Sequence, residues 1–302
     1  NVDVGFFPVD VACTEDYAIV PCVFSNEAWV IDLSDYSIAG TFETGEQPAT
    51  VEVRHDGTKA FVGCDIDDVL EVIDLETMSH EMTITDFPVA LRSASWVTGS
   101  GRFYYTWYQY LVSPDDNFII TSDYENSILL FDTETGEVAD TILDVYNITE
   151  INLSGDGNRL VAVTYANPAI VHQIDMETLQ VETAVEITGV GIWGNGVAVN
   201  PDGTKAFLGV NGNQTALVRF ETGNFTFYPS TQTAFWCDNS YDHEYAISGQ
   251  YRFTIFEFET ELIKGFYWGI NQYLGAASPS SYHAAGVDPA RSQIHAEGWR
   301  TV

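Results

Sequence analysis

The sequence predicts an all-β fold, a seven-bladed β-propeller of four-stranded antiparallel blades whose ring is closed by the N-terminal strand. Three observations predict it: a hairpin segment recurring about every 42 residues, a second acidic marker that tracks it, and two chain ends that complete one another.

The hairpin segment reads VRHDGTKAFVGC at 53–64 and VNPDGTKAFLGV at 199–210, with VSPDDNFIITS from Val112 and LSGDGNRLVAV from Leu153 in the same slot. Each is a short strand, a tight turn holding Asp and usually Gly, and a second strand; Asp and Gly supply the backbone geometry a hairpin demands. The turn position falls at Thr14, Asp56, Asp115, Asp156, Asp202, Asp242 and Ala290, at intervals of 42, 59, 41, 46, 40 and 48 residues. About 18 residues further on, a third strand ends in an acid, at Asp32, Asp74, Asp132, Asp175, Glu221 and Glu259. A turn, often E-T-G, then leads to a fourth strand. Helical periodicity is absent, and Tyr, Phe, Val, Ile and Thr recur in short runs that favour strands.

The chain reads as a single domain over 1–302, its seventh blade formed by 284–302 together with 1–7. The opening NVDVGFFP has the look of a fourth strand followed by the usual proline. Closing the last blade with it removes two open sheet edges; the alternative is to donate it to a neighbouring copy.

Composition narrows the partners. Eleven basic residues against 44 acidic ones leave a net charge of −33. Such a surface excludes nucleic acid, whose binding needs basic groups to replace phosphate counterions, and disfavours anionic membranes. No apolar run approaches the roughly 20 residues of a spanning helix. Self-repulsion of this size suits a saline or calcium-containing exterior, where ions screen or bridge carboxylates. A start at Asn1 without a leader segment fits a cleaved signal peptide, and a shortened chain equally; an extracellular or cell-surface location is the expectation. Four cysteines, Cys13, Cys22, Cys64 and Cys237, lack zinc spacing and allow two disulfides. Sequons at Asn147, Asn152, Asn213 and Asn224 permit glycosylation.

The segments at 71–77, 113–122 and 200–209 resemble the YVTN-type, lactonase-like β-propeller repeats, whose pattern runs strand, PDGTK, strand, loop, VxVIDxxTG. The YVTN tetrapeptide itself is replaced by IVPC, FVGC, IITS, VAVT and FLGV. The resemblance implies a propeller, commonly secreted or surface-attached, some members being surface-layer-like or filament-like.

Candidate sites follow from insertions and charge. Extra residues near 87–108 and 262–282 carry RFYYTWYQY and GFYWGINQY, which offer Trp96, Tyr104, Trp107, Tyr108, Tyr267 and Trp268 as interface residues, because clustered Tyr and Trp suit protein contacts. Trp96, Trp107 and Trp268 would equally stack on sugars. The loop CDIDD offers Asp65, Asp67 and Asp68 as ligands for a hard cation such as Ca2+. No G-x-S-x-G, H-E-x-x-H or P-loop is present, and the histidines and arginines are dispersed, so no catalytic residue is assigned. The reading is a non-enzymatic, extracellular, self-assembling subunit bridged by cations. Its rivals are a lactonase-like hydrolase with its site at the channel mouth, and a carbohydrate- or cell-surface-binding module.

Overall fold

The structure is a computed structural model of the 302-residue chain. It describes residues 2–88, 95–97, 102–104, 110–123, 127–164, 166–189, 196–210, 214–230, 236–240, 243–249, 252–268, 275–277, 283–288 and 293–298. Among these, every element is a strand, and no helix is long and apolar enough to cross a membrane.

Seven four-stranded antiparallel sheets and one two-stranded hairpin are present among the described residues. The first sheet is Ala12–Cys13, Tyr17–Cys22, Glu27–Asp32 and Ile38–Glu43. The second is Pro48–Val53, Lys59–Cys64, Val69–Asp74 and Ser79–Thr85. The third is Leu111–Val112, Phe118–Ser122, Ser127–Asp132 and Val138–Leu143, and the fourth Ile148–Leu153, Arg159–Thr164, Ala169–Asp175 and Gln180–Ile187. The fifth is Val197–Val199, Lys205–Val210, Gln214–Arg219 and Asn224–Pro229, and the sixth Trp236–Asn239, Tyr245–Gly249, Arg252–Glu257 and Leu262–Trp268. The seventh runs Gly275–Ala277, His283–Asp288, Gln293–Gly298 and then back to Val2–Asp3, with Val2 opposite Ile294 and Asp3 opposite Gln293.

Burial explains the strand sequences. The second strand of a sheet lies in its interior, and KAFVGC at Lys59–Cys64 is buried at all six positions. A strand covered on both faces reads as a continuous apolar run rather than an alternation. The fourth strand lies at the edge, and SHEMTIT at Ser79–Thr85 is mostly exposed.

The described chain divides into two compact units, one of residues 1–112, 135–137 and 272–302, the other of 113–134 and 138–271. In the first, Ile19, Ala28, Val30, Val51, Val62 and Ile73 form one core between the first and second sheets. Val2, Val4 and Trp29 pack on a second cluster within the first sheet. Buried Tyr110 donates its hydroxyl to the Phe61 carbonyl at 2.6 Å and meets the Phe87 ring edge-on at 5.5 Å. In the second unit, Val163, Val171, Val199 and Leu208 join the fourth and fifth sheets. Phe207 and Phe256 stack at 4.3 Å between the fifth and sixth. Side chains also stitch inner strands of adjacent sheets: Asp10 Oδ2 accepts the Val51 N–H at 3.0 Å, and Asn152 Nδ2 donates to the Val197 carbonyl at 2.8 Å.

Two expectations about the C-terminal repeat need correction. Residues 262–268, read as the start of an insertion, are the fourth strand of the sixth sheet. The seventh sheet starts at Gly275, before the expected 284, so the turn holding Ala290 joins its second and third strands rather than its first and second. The sequence there, VDPARSQ, lacks the Gly that marks the first hairpin elsewhere. The extra residues before Asp115 do add a hairpin, Ser95–Val97 with Arg102–Tyr104.

Candidate functional site

Each sheet has two unlike ends. Its first and third hairpins lie at one end, here the turn end. Its second hairpin and the link to the next sheet lie at the other, the connector end.

At the turn end, the repeated aspartates fold the hairpins. Asp202 Oδ1 accepts from the Thr204 N–H at 3.1 Å, the Thr204 hydroxyl at 2.6 Å and Asn200 Nδ2 at 2.6 Å. Asp156 Oδ1 accepts from the Ser154 hydroxyl at 2.6 Å and the Asn158 N–H at 3.0 Å. Asp115 and Asp56 do the same with Ser113, Asn117 and Thr58. Burial pushes these four carboxyls up, but the hydrogen bonds outweigh it and hold each below its ordinary value. The acids ending the third strands cap the next turn. Asp74 Oδ1 accepts the Glu76 and Thr77 N–H groups at 2.9 and 2.7 Å, and Asp175 those of Glu177 and Thr178 at 3.0 and 2.7 Å. Hydrogen bonds from Thr77 and Thr178 place both carboxyls below the usual range. Asp and Asn in such turns close a local ring that mimics a backbone turn.

The six Lys and Arg whose side chains are described also sit at turn ends, each against a carboxylate. Arg54 meets Asp56 at 3.3 Å, Lys59 meets Glu81 at 3.0 Å, and Lys264 meets Glu257 at 2.6 Å. Arg159 lies between Asp175 at 3.0 Å and Glu182 at 2.6 Å. Glu261 of the sixth sheet ties down Lys205, at 3.0 Å, and Arg219 of the fifth. Hydrogen bonding to Arg219 and then to Lys205 lowers the Glu261 carboxyl to about 2. Two open grooves, of about 360 and 460 Å³, lie between the fourth and fifth and between the fifth and sixth sheets. Asp156, Asp175, Asp202 and Glu257 of their linings are engaged in these turns and pairs.

Among the described side chains the histidines form no metal-binding group of three or more. His80 Nε2 lies 2.7 Å from Glu71 Oε2, which also accepts the Thr83 hydroxyl at 2.6 Å, on the third and fourth strands of the second sheet. His172 is on the third strand of the fourth sheet, its Nδ1 buried without a partner and its pKa lowered by burial. His243 Nδ1 faces the Val199 carbonyl at 3.0 Å. His283 and His295 fall on strands of the seventh sheet.

The CDIDD acids lie at a connector end. Asp67 Oδ2 accepts the Glu46 N–H at 2.7 Å, and the Asp68 carbonyl accepts the Phe87 N–H at 2.9 Å. Among the described residues no group of three or more His, Cys, Asp or Glu is arranged to hold a metal ion.

The cysteines are four free, buried thiols, so the allowance for two disulfides is corrected. Cys22 and Cys64 occupy equivalent slots, each Sγ over the carbonyl two residues back, of Val20 and Val62, at 3.8 and 3.9 Å. Equivalent side chains of neighbouring sheets point the same way and do not converge. Burial pushes Cys13, Cys22 and Cys64 up to about 12.

Asn147 and Asn224 are exposed. Asn152 is half-buried, with its amide nitrogen on the Val197 carbonyl and its oxygen on the Leu153 N–H, each at 2.8 Å. Trp96 and Tyr104 fall on the extra hairpin and Tyr267 and Trp268 on the sixth sheet's outer strand; their side chains, and Trp107, Tyr108 and Asn213 entirely, lie outside the described residues.

The sequence reading missed the connector end of the first two sheets. Phe6, Phe24 and Ile66 are 61, 48 and 53 % exposed there. Exposure at a hairpin tip leaves no periodic signal.

Sheets of this kind, repeating one turn chemistry, define the β-propeller class. Among solved structures the chain is similar to one titled "Kuenenia stuttgartiensis Hydrazine Synthase", with a TM-score of 0.77 at 14% identity over 97% of this chain and 95% of that one. A likeness at that identity supports a β-propeller fold and nothing finer. No family model matches the sequence, and no curated protein does.

Proposed function

We propose that the chain is a seven-bladed β-propeller closed by its own N-terminal strand. It acts outside the cell as a non-enzymatic structural subunit that joins copies of itself, with divalent cations between the acidic surfaces. The observation that carries the reading is the fate of the titratable side chains. The turn aspartates fold hairpins and each described Lys or Arg sits against a carboxylate, while exposed acids remain in excess of the net −33 chain's cations. A face of that charge approaches its like only when ions bridge or screen it. The pairing of Val2–Asp3 with Gln293–Ile294 supports ring closure, and with it contact between faces rather than strand exchange. The likeness of 71–77, 113–122 and 200–209 to YVTN-type repeats supports the same kinship.

Electron microscopy and sedimentation of the purified chain, with calcium and with chelator, test the proposal. Polymers or defined oligomers in calcium that dissolve with chelator are expected. Strict monomers at every calcium concentration would overturn it.

A further inference from the structure

We infer that the connector end of the first two sheets is a docking strip for a cationic, apolar segment of a partner polypeptide. Phe6 and Phe24 stand side by side with ring centroids 5.6 Å apart, and Phe7 lies 4.9 Å from Phe24. Phe6 and Phe24 are 61 and 48 % exposed, and Ile66 on the neighbouring hairpin tip is 53 % exposed. Hydrogen bonds make the strip continuous. The Phe24 N–H donates to the Phe6 carbonyl at 3.1 Å, the Thr44 N–H to the Asn26 carbonyl at 3.0 Å, and the Ile66 N–H to the Glu46 carbonyl at 3.3 Å. Gln47 N–H adds a bond to Asn26 Oδ1 at 3.1 Å. Phe7 adopts a φ of 65°, a region that bulky residues rarely enter, and the Val23 N–H fixes its carbonyl at 3.1 Å. A backbone outlier of this kind is kept where its surroundings hold it, often beside a binding surface.

Charge names the occupant. Glu43, Glu46, Asp67 and Asp68 are exposed at this end. The first 91 residues hold no Lys or Arg except Arg54 and Lys59. Both lie at the opposite end of the second sheet, paired with Asp56 and Glu81. Among the described residues, the charged side chains placed around the strip are acidic. Adjacent exposed aromatics on a soluble chain mark a contact surface and make good anchors. The rim steers cations in and turns anions away. Without bridging cations a second copy of a chain with net charge −33 meets that repulsion, and so does an anionic bilayer. What remains is a polypeptide segment placing Lys or Arg around apolar side chains.

Calorimetric titration of the full chain with short peptides tests this. The probes alternate lysine with leucine, lysine with serine, and glutamate with leucine. The lysine–leucine peptide is expected to bind best, more weakly as salt rises, and the glutamate–leucine peptide not at all. Phe6→Ala with Phe24→Ala should weaken the lysine–leucine peptide by about tenfold or more and leave the lysine–serine peptide unchanged. Glu43→Lys with Glu46→Lys should weaken both lysine peptides. All four side chains are exposed or at the surface, and an unchanged melting temperature shows that the variants fold. Equal binding of the glutamate–leucine peptide, or a lysine–leucine affinity untouched in both variants, would overturn the inference. So would loss of self-association in Phe6→Ala with Phe24→Ala, which would assign the strip to a second copy. A strictly monomeric chain that binds the lysine–leucine peptide sinks the self-assembly proposal and leaves this one standing.

Discussion

Asp156 shows what many of the acids in this chain do. Its carboxylate holds Ser154 and Asn158 in the turn that lets Arg159 start the next strand. Asp156→Ala should lower stability by about 1 kcal/mol in urea unfolding, as loss of a helix cap does, and Asp156→Asn, which keeps an acceptor, by less. An unaltered midpoint would mean that the turn forms without the carboxylate. Glu261 gives a pH signature. Its folded pKa of about 2 lies below the ordinary 4.5, so its contribution is present above about 4.5 and fades as pH falls toward about 2. Glu261→Gln is thus expected to unfold more easily at neutral pH and to converge with the parent near pH 2. Parallel acid-unfolding curves for the two would contradict that. The thiols offer a third check: Cys13, Cys22 and Cys64, buried and raised to about 12, should resist alkylation in the native chain and react in urea without reductant. Failure to react in urea would mean that they are oxidised.

At the scale of the sheet, stability rests on the faces the sheets share. Phe207→Ala removes a ring stacked on Phe256 and should cost about 3–5 kcal/mol, read as a lower urea midpoint. A shift near zero would mean that this face is loosely packed. The hairpins were legible because their chemistry is local. Asp at Asp56, Asp156 and Asp202, Gly two or fewer residues away, and an acid ending the third strand all act within one turn. The seventh sheet was misplaced because its strands around 283–298 carry no such turn chemistry, so the repeat there was anchored one hairpin off. For the acids of CDIDD, sequence shows their proximity but not that Asp67 holds the Glu46 amide. Phe6 and Phe24 were invisible as a surface because neither lies in an alternating strand, and only their exposure in the fold marks them.

For the whole molecule, the net charge of −33 sets the conditions under which it stays folded. Exposed carboxylates repel over a Debye length of about 10 Å at 0.1 M salt, and described cations are few and paired. Melting temperature should therefore rise with added salt; a fall would mean that the ion pairs outweigh the repulsion. The central claim is that the first residues seal the last sheet of their own chain. Cysteines at Val2→Cys and Ile294→Cys face each other directly in that pairing, and the native thiols are buried. Oxidation of this double variant, followed by non-reducing electrophoresis, is expected to give a monomer with an internal disulfide. A ladder of disulfide-linked chains would show the strand donated to a neighbour, and would contradict the account.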